Sequence, residues 1–185
     1  MNYKLLTVCA LMTSLVVSAQ PAGIRVEVAE QESDNAEYSI FTYKDSNADS
    51  SFGYYLSVGR TKKFLGADEI LGMEVKNLHE VTVWLGATTD EALTSIASLL
   101  ALYKKDAGFT TELQGRAATN GLQLGAPVTV TCLVDKKLLG GKRLQFFFPE
   151  GKHSSHAYLS KTVLKQLRMN FKIDIKLHPK QHRKK

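Results

Sequence analysis

The sequence predicts an α+β protein, in which an antiparallel-rich sheet carries about two helices packed on one face. Three observations support this class: short runs of alternating apolar and polar residues, a Gly-Gly pair between two such runs, and two stretches with helical spacing. The predicted order is four strands, a helix, two or three strands, a second helix and a final strand. Strands joined by short connections pair antiparallel. In an α+β order of this kind, both helices are predicted to lie on one side of the sheet.

The first elements are predicted to be strands. Ile24, Val26 and Val28 occupy every second position, which indicates a strand with one face toward the core and one face exposed to solvent. β-Branched and aromatic residues fill 36–44 and 52–58, and the short polar connection between these two runs predicts an antiparallel hairpin.

A fourth strand is predicted at 78–85, and it carries the single tryptophan of the chain, Trp84. A large aromatic side chain on a strand is typical of a core anchor, and stacking on a ligand is the alternative. Because side chains alternate along a strand, half of the tyrosines on the preceding hairpin must face the core. The candidate ligand-binding residues, which could line a sugar- or peptide-binding face, are Tyr38, Tyr43, Tyr54, Tyr55 and Trp84.

The clearest helix is predicted over 90–106. Thr88 and Glu91 have the spacing of a capping box, in which a hydroxyl and a carboxylate each satisfy a free backbone N–H group. Gly108 can end the helix in a left-handed conformation. The apolar stripe at helical spacing consists of Leu93, Ile96, Leu100 and Tyr103.

A second hairpin is predicted from strands at 126–139 and 142–148. Gly140 and Gly141 between them tolerate the positive φ angles of a tight turn. Cys132 lies in the first of these strands and is predicted to be a buried small hydrophobe, with a reactive or intermolecularly paired thiol as the alternative.

A second helix is predicted to begin at Ser154 or Ser155 and to end near Met169, because either serine could cap it. The apolar residues of 171–177 alternate without interruption. This alternation predicts a final strand.

The first twenty residues have the three parts of a secretory signal. Lys4 supplies a positive start, 5–17 is almost wholly apolar, and Val17-Ser18-Ala19 offers small residues for cleavage after Ala19. A membrane anchor is the weaker alternative, because a spanning helix needs about 20 apolar residues. We therefore predict a cleaved signal at 1–19, a secreted or periplasmic location and no transmembrane span in the mature chain.

The mature chain is predicted to form a single α+β domain over 20–178, with a basic flexible tail over 179–185. Two small halves, 20–85 and 86–185, are the alternative, although no linker-like composition separates them.

The positive charge of the chain is concentrated at its C-terminal end. Of the 24 Lys and Arg residues, one lies in the signal and five lie in 176–185, which leaves 18 to balance the 18 Asp and Glu residues. An evenly charged body argues against a nucleic-acid partner.

Glu150, His153 and His156 are the candidate catalytic residues. Two imidazoles three residues apart at a helix start, with a carboxylate nearby, could share a metal ion. Zinc needs three or four ligands, however, and the sequence offers no second matching cluster. A polar turn that enters a helix is the favoured interpretation, and neither a metal nor a cofactor is predicted.

Clear folding signals without a catalytic motif predict a non-catalytic binding or interaction domain outside the cytoplasm. Its ligand would be a protein, a peptide or a glycan. The alternatives are a secreted hydrolase that uses the His153/His156 region, and an anionic-surface binder that uses the basic C-terminal tail.

Overall fold

The structure is a computed structural model that describes residues 23–33, 36–45, 51–61, 81–116, 125–137, 140–150 and 153–182. The predicted signal at 1–19 lies outside these residues. The described residues form eight strands and two helices. In chain order these are β1 (Gly23–Ser33), β2 (Ala36–Asp45), β3 (Ser51–Thr61), β4 (Val81–Gly86), α1 (Thr89–Leu102), β5 (Thr110–Arg116), β6 (Pro127–Lys136), β7 (Lys142–Glu150), β8 (His153–Ser160) and α2 (Lys161–Leu177).

The strands form one antiparallel sheet whose spatial order follows the chain order from β1 to β8. The sheet curls, so that β8 also approaches β3 and β4. Among the described elements, four strands followed by a helix occur twice in chain order. The fold is therefore α+β, as the sequence predicts, with more sheet than helix.

The main hydrophobic core is built by both helices and by strands from both halves of the chain. Ile40, Leu56, Ile96, Leu144 and Phe171 are fully buried within it. Each such side chain contributes roughly 1.5–3 kcal/mol through its removal from water.

Cys132 belongs to this core and is fully buried, which confirms the predicted small hydrophobe. Burial raises the pKa of its thiol to about 12. The neutral thiol is a poor nucleophile, because the thiolate is the reactive form.

Both predicted hairpins are confirmed. The first is formed by β2 and β3, and the second by β6 and β7. The connection of the second pair runs over 137–141 and is longer than the Gly-Gly pair alone, because β6 ends at Lys136. Gly140 and Gly141 are its last two residues, with φ angles of 91° and 81° in the left-handed region that favours glycine.

The first helix is confirmed at its N-terminus. The Glu91 N–H donates to the Thr88 hydroxyl at 3.2 Å, and the Glu91 carboxylate accepts from the Ala87 N–H at 2.7 Å. The helix ends at Leu102, which is earlier than predicted. Gly108 is therefore not its cap but part of the turn that leads into β5.

Residues 153–160 form β8, where the sequence predicts a helix that begins at Ser154 or Ser155. This prediction is wrong because a later serine caps the helix: the hydroxyl of Ser160 accepts from the Val163 N–H at 3.2 Å. β8 pairs with β7 along its whole length, and this pairing keeps Ser154 and Ser155 in a strand, so that the helix begins after Ser160. Local sequence could not supply that long-range contact.

The strand predicted at 171–177 is wrong, since these residues form the C-terminal half of α2. The alternation arises from two helical stripes. Phe171 and Ile175 lie four residues apart on the side that packs against the core. Ile173 and Leu177 also lie four residues apart, and both are exposed.

α2 lies along β1, which is an edge strand of the sheet. The side-chain amide of Asn170 donates to the Glu30 carbonyl oxygen at 3.1 Å, so the helix satisfies part of this edge. Neither described helix combines the length and apolar character that a membrane crossing requires.

Candidate functional site

The sheet opens between β4 and β5. Among the described residues these strands share two register pairs, Thr82 with Arg116 and Val83 with Gly115. A Cβ atom at Gly115 would lie 2.4 Å from the Thr82 carbonyl oxygen, so the two backbones approach closely at this junction. β5 pairs with β6 along its whole length, and the opening therefore lies on its β4 side.

α1 replaces β5 beside the C-terminal end of β4. The hydroxyl of Ser95 donates to the Leu85 carbonyl oxygen at 2.6 Å. The helix thereby satisfies a backbone acceptor that a neighbouring strand would otherwise use. The opening produces two clefts, and Trp84 and Gln114 line both of them.

The larger cleft, of about 600 Å³, combines aromatic rings with a guanidinium group. Trp84 meets Tyr55 edge to face, with ring centroids 4.9 Å apart. Burial raises the pKa of the Tyr55 phenol, while the charge of Arg116 and its side-chain hydrogen bond to Tyr55 act in the opposite direction. The other described lining residues are Gln114, Gly115, Pro127, Val128 and Thr129.

A row of packed aromatic rings supports this cleft from behind. Tyr55 stacks on Phe41 at 5.4 Å, and Phe41 meets Tyr43 edge to face at 5.9 Å. The Arg25 guanidinium lies 3.9 Å above the Phe41 ring. Tyr43 and Tyr55 are buried and Trp84 is only half-buried, so Trp84 is the ring of this row that a ligand can reach.

Gly53 on β3 makes room for the indole of Trp84. A Cβ atom at this position would lie 2.1 Å from the indole ring, and the φ angle of 96° also favours glycine. The position of the tryptophan is therefore set by the strand next to it.

The second cleft, of about 360 Å³, lies between α1 and β5 and is mostly apolar. Among the described residues that line either cleft, Glu112 is the sole carboxylate, and no histidine or cysteine is present. The apolar lining residues of the second cleft are Val83, Trp84, Leu85, Leu99, Leu102 and Leu113.

The structure divides the predicted ligand-binding residues into two groups. Tyr38 and Tyr54 belong to the main core, whereas Tyr43, Tyr55 and Trp84 form a second cluster with Phe41. Tyr55 and Trp84 are thus brought together at the larger cleft. Sequence reasoning missed Arg116, because no local signal connects residue 116 with residue 55.

The predicted catalytic residues lie at the facing ends of β7 and β8. The register places Glu150 opposite His153, and His156 opposite Phe147. Positions 153 and 156 are an odd number of residues apart and so lie on opposite faces of β8. The side chains of these candidates are outside the part that the structure describes, and their role stays a prediction. In the described part, no group of three or more His, Cys, Asp or Glu residues could hold a metal ion.

A buried chain of hydrogen bonds also escaped sequence reasoning. One Asp174 oxygen lies 2.8 Å from His182 Nε2, and His182 Nδ1 lies 2.8 Å from the Tyr54 hydroxyl. The other oxygen of Asp174 lies 2.8 Å from His178 Nδ1. The His182 side chain is 5% exposed and Tyr54 is buried, so this carboxylate–imidazole–phenol chain holds residues 178–182 against the core rather than meeting a substrate. The spacing of four between Asp174 and His178 would be a signal once a helix is predicted there, whereas His182 lies beyond the end of α2.

Comparison with family models, curated proteins and solved structures finds no match to this chain.

Proposed function

We propose that the mature chain is a non-catalytic binding domain that works outside the cytoplasm and holds its ligand in the cleft beside Trp84. The observation that carries this proposal is the half-buried Trp84 ring beside the Arg116 guanidinium, at the place where the sheet opens. A reachable aromatic face next to a fixed cation is a binding arrangement that needs no reacting group.

The two groups suit a ligand with a carboxylate next to a flat apolar surface. The guanidinium of Arg116 is planar and can donate two parallel hydrogen bonds to a carboxylate. The ring of Trp84 can cover the apolar face of a sugar or of a peptide side chain. An acidic glycan and a peptide with a free carboxylate both have this chemistry.

The proposal includes export and the placement of the helices. Protein recovered from outside the cytoplasm should begin at Gln20, and a chain that still begins at Met1 would contradict export. Both helices are proposed to cover the same face of the sheet. The support for this is that they share the main core and pack against each other.

Trp84 fluorescence provides the test, because it is the single tryptophan of the chain. The full chain is titrated with glucuronate oligosaccharides and with short peptides, each with a free or a neutralised carboxylate. We expect the free carboxylates alone to change the emission. Arg116→Gln should weaken this response about tenfold or more, since it removes hydrogen bonds to a charged group.

Arg143→Gln is the matched control. Arg143 is also half-buried on a strand, where it pairs with Asp135 at 2.7 Å and lies 3.8 Å above the Tyr158 ring. The binding proposal fails if no probe alters Trp84 emission, or if the two arginine variants respond alike.

A further inference from the structure

The outer face of α2 presents an apolar stripe next to a row of lysines. Met169, Ile173 and Leu177 recur every four residues and are 57%, 48% and 68% exposed. At about 100° per residue, the lysines fall in the adjacent sector of the helix. These exposed lysines are Lys161, Lys165, Lys172 and Lys176.

Most of the acidic groups around this face are already paired. Asp174 is bound by His178 and His182, and the Glu27 carboxylate is bound by Arg25 at 2.6 Å. Glu30 remains as an exposed carboxylate in the groove between β1 and α2. The outer face therefore has a strong excess of positive charge.

We propose that this face docks on an anionic lipid bilayer, with α2 lying in the plane of the membrane surface. The lysines would meet lipid phosphates, while Met169, Ile173 and Leu177 would enter the headgroup region. A helix with a basic sector beside an apolar sector has the charge and apolar surface that such an interface requires. Lys180, which is also exposed, and the basic residues at 183–185 in the sequence add positive charge after the helix.

Two other occupants fit this face less well. A second copy of the chain would bring its own lysine row to a self-complementary contact, where like charges repel. A nucleic acid would use the lysines but leave the three apolar side chains without a partner, and none of the seven residues offers an aromatic ring for base stacking.

The test places an environment-sensitive fluorophore on the proposed face. The full chain carries Cys9→Ser, so that Ile173→Cys supplies the reactive thiol while buried Cys132 stays unlabelled. The control carries Phe109→Cys, because Phe109 is also apolar and 39% exposed, in the turn before β5. Each protein is mixed with vesicles of equal phosphatidylglycerol and phosphatidylcholine, with pure phosphatidylcholine vesicles, and with duplex DNA.

We expect the label at position 173 to shift to the blue with the anionic vesicles alone, and high salt to reverse the shift. Lys165→Gln with Lys172→Gln should raise the half-maximal lipid concentration about 25-fold, at about fivefold per lysine. Lys104→Gln with Lys137→Gln removes the same charge from exposed positions elsewhere and should leave that concentration unchanged.

The membrane proposal is overturned by an unshifted label at position 173, by an equal shift at position 109, or by equal effects of the two lysine pairs. A shift with duplex DNA but not with vesicles would also overturn it and assign the face to nucleic acid. Circular dichroism spectra of each variant check that the helices are retained.

Discussion

At the scale of single residues, Cys132 shows how burial makes stability depend on pH. Its thiol pKa is raised from about 9 to about 12 in the folded chain. The unfolded chain therefore loses this proton at a lower pH than the folded chain does. The contribution to stability is complete below pH 9 and declines between about pH 9 and 12, with a slope that approaches 1.4 kcal/mol per pH unit.

Urea unfolding at several values between pH 8 and 10 measures this effect. We expect the free energy of unfolding to fall more steeply with pH for the natural chain than for Cys132→Ala. The range stops at pH 10 because burial also raises the pKa of Tyr103, whose ordinary value is 10. Parallel pH profiles for the two proteins would show that the thiol does not titrate differently in the folded and unfolded chain.

At the scale of elements, the end of α2 depends on one of two histidines that bind the same carboxylate. His182 is buried, whereas the side chain of His178 is 50% exposed. His182→Ala removes the imidazole that connects the buried Tyr54 hydroxyl with Asp174, and we expect it to lower the free energy of unfolding by about 1–3 kcal/mol. His178→Ala should change it by about 0.5 kcal/mol or less.

Urea unfolding of both variants gives these values directly. Equal losses in the two histidine variants would show that the buried hydrogen bonds do not hold the C-terminal segment.

Elements that depend on contacts between residues close in sequence are predicted correctly, and elements that depend on distant contacts are not. The start of α1 is visible because Thr88 and Glu91 satisfy backbone groups within one turn. β8 and α2 are misread because several serines could cap a helix, and because two helical stripes imitate the period of a strand. At the candidate site, Tyr55 and Trp84 are found as aromatic residues on strands. Arg116 is missed because it comes close to Tyr55 and Trp84 only through the pairing of β5 with β4, which is a contact between distant parts of the sequence.

At the scale of the whole molecule, the two runs of four strands and a helix share one sheet and one core. Within the described part of the chain, the halves meet at two register pairs between β4 and β5, which is a narrow junction for a sheet of eight strands. The shared core compensates for this, since α1 and α2 pack against each other and β8 approaches β3 and β4. Burial of apolar surface from both halves in one cluster should make their unfolding cooperative.

This cooperativity can be tested with one local probe in each half. Trp84 emission reports on the first half, and the reactivity of the Cys132 thiol in a Cys9→Ser background reports on the second, because unfolding exposes both side chains to water. We expect one urea midpoint for both probes.

Gly115→Ala forces a Cβ atom against the Thr82 carbonyl oxygen and should lower the free energy of unfolding by about 1–3 kcal/mol. The urea midpoints of both probes should therefore fall together. Two separate midpoints, or a Gly115→Ala shift confined to one probe, would mean that residues 20–85 and 86–185 fold as independent units.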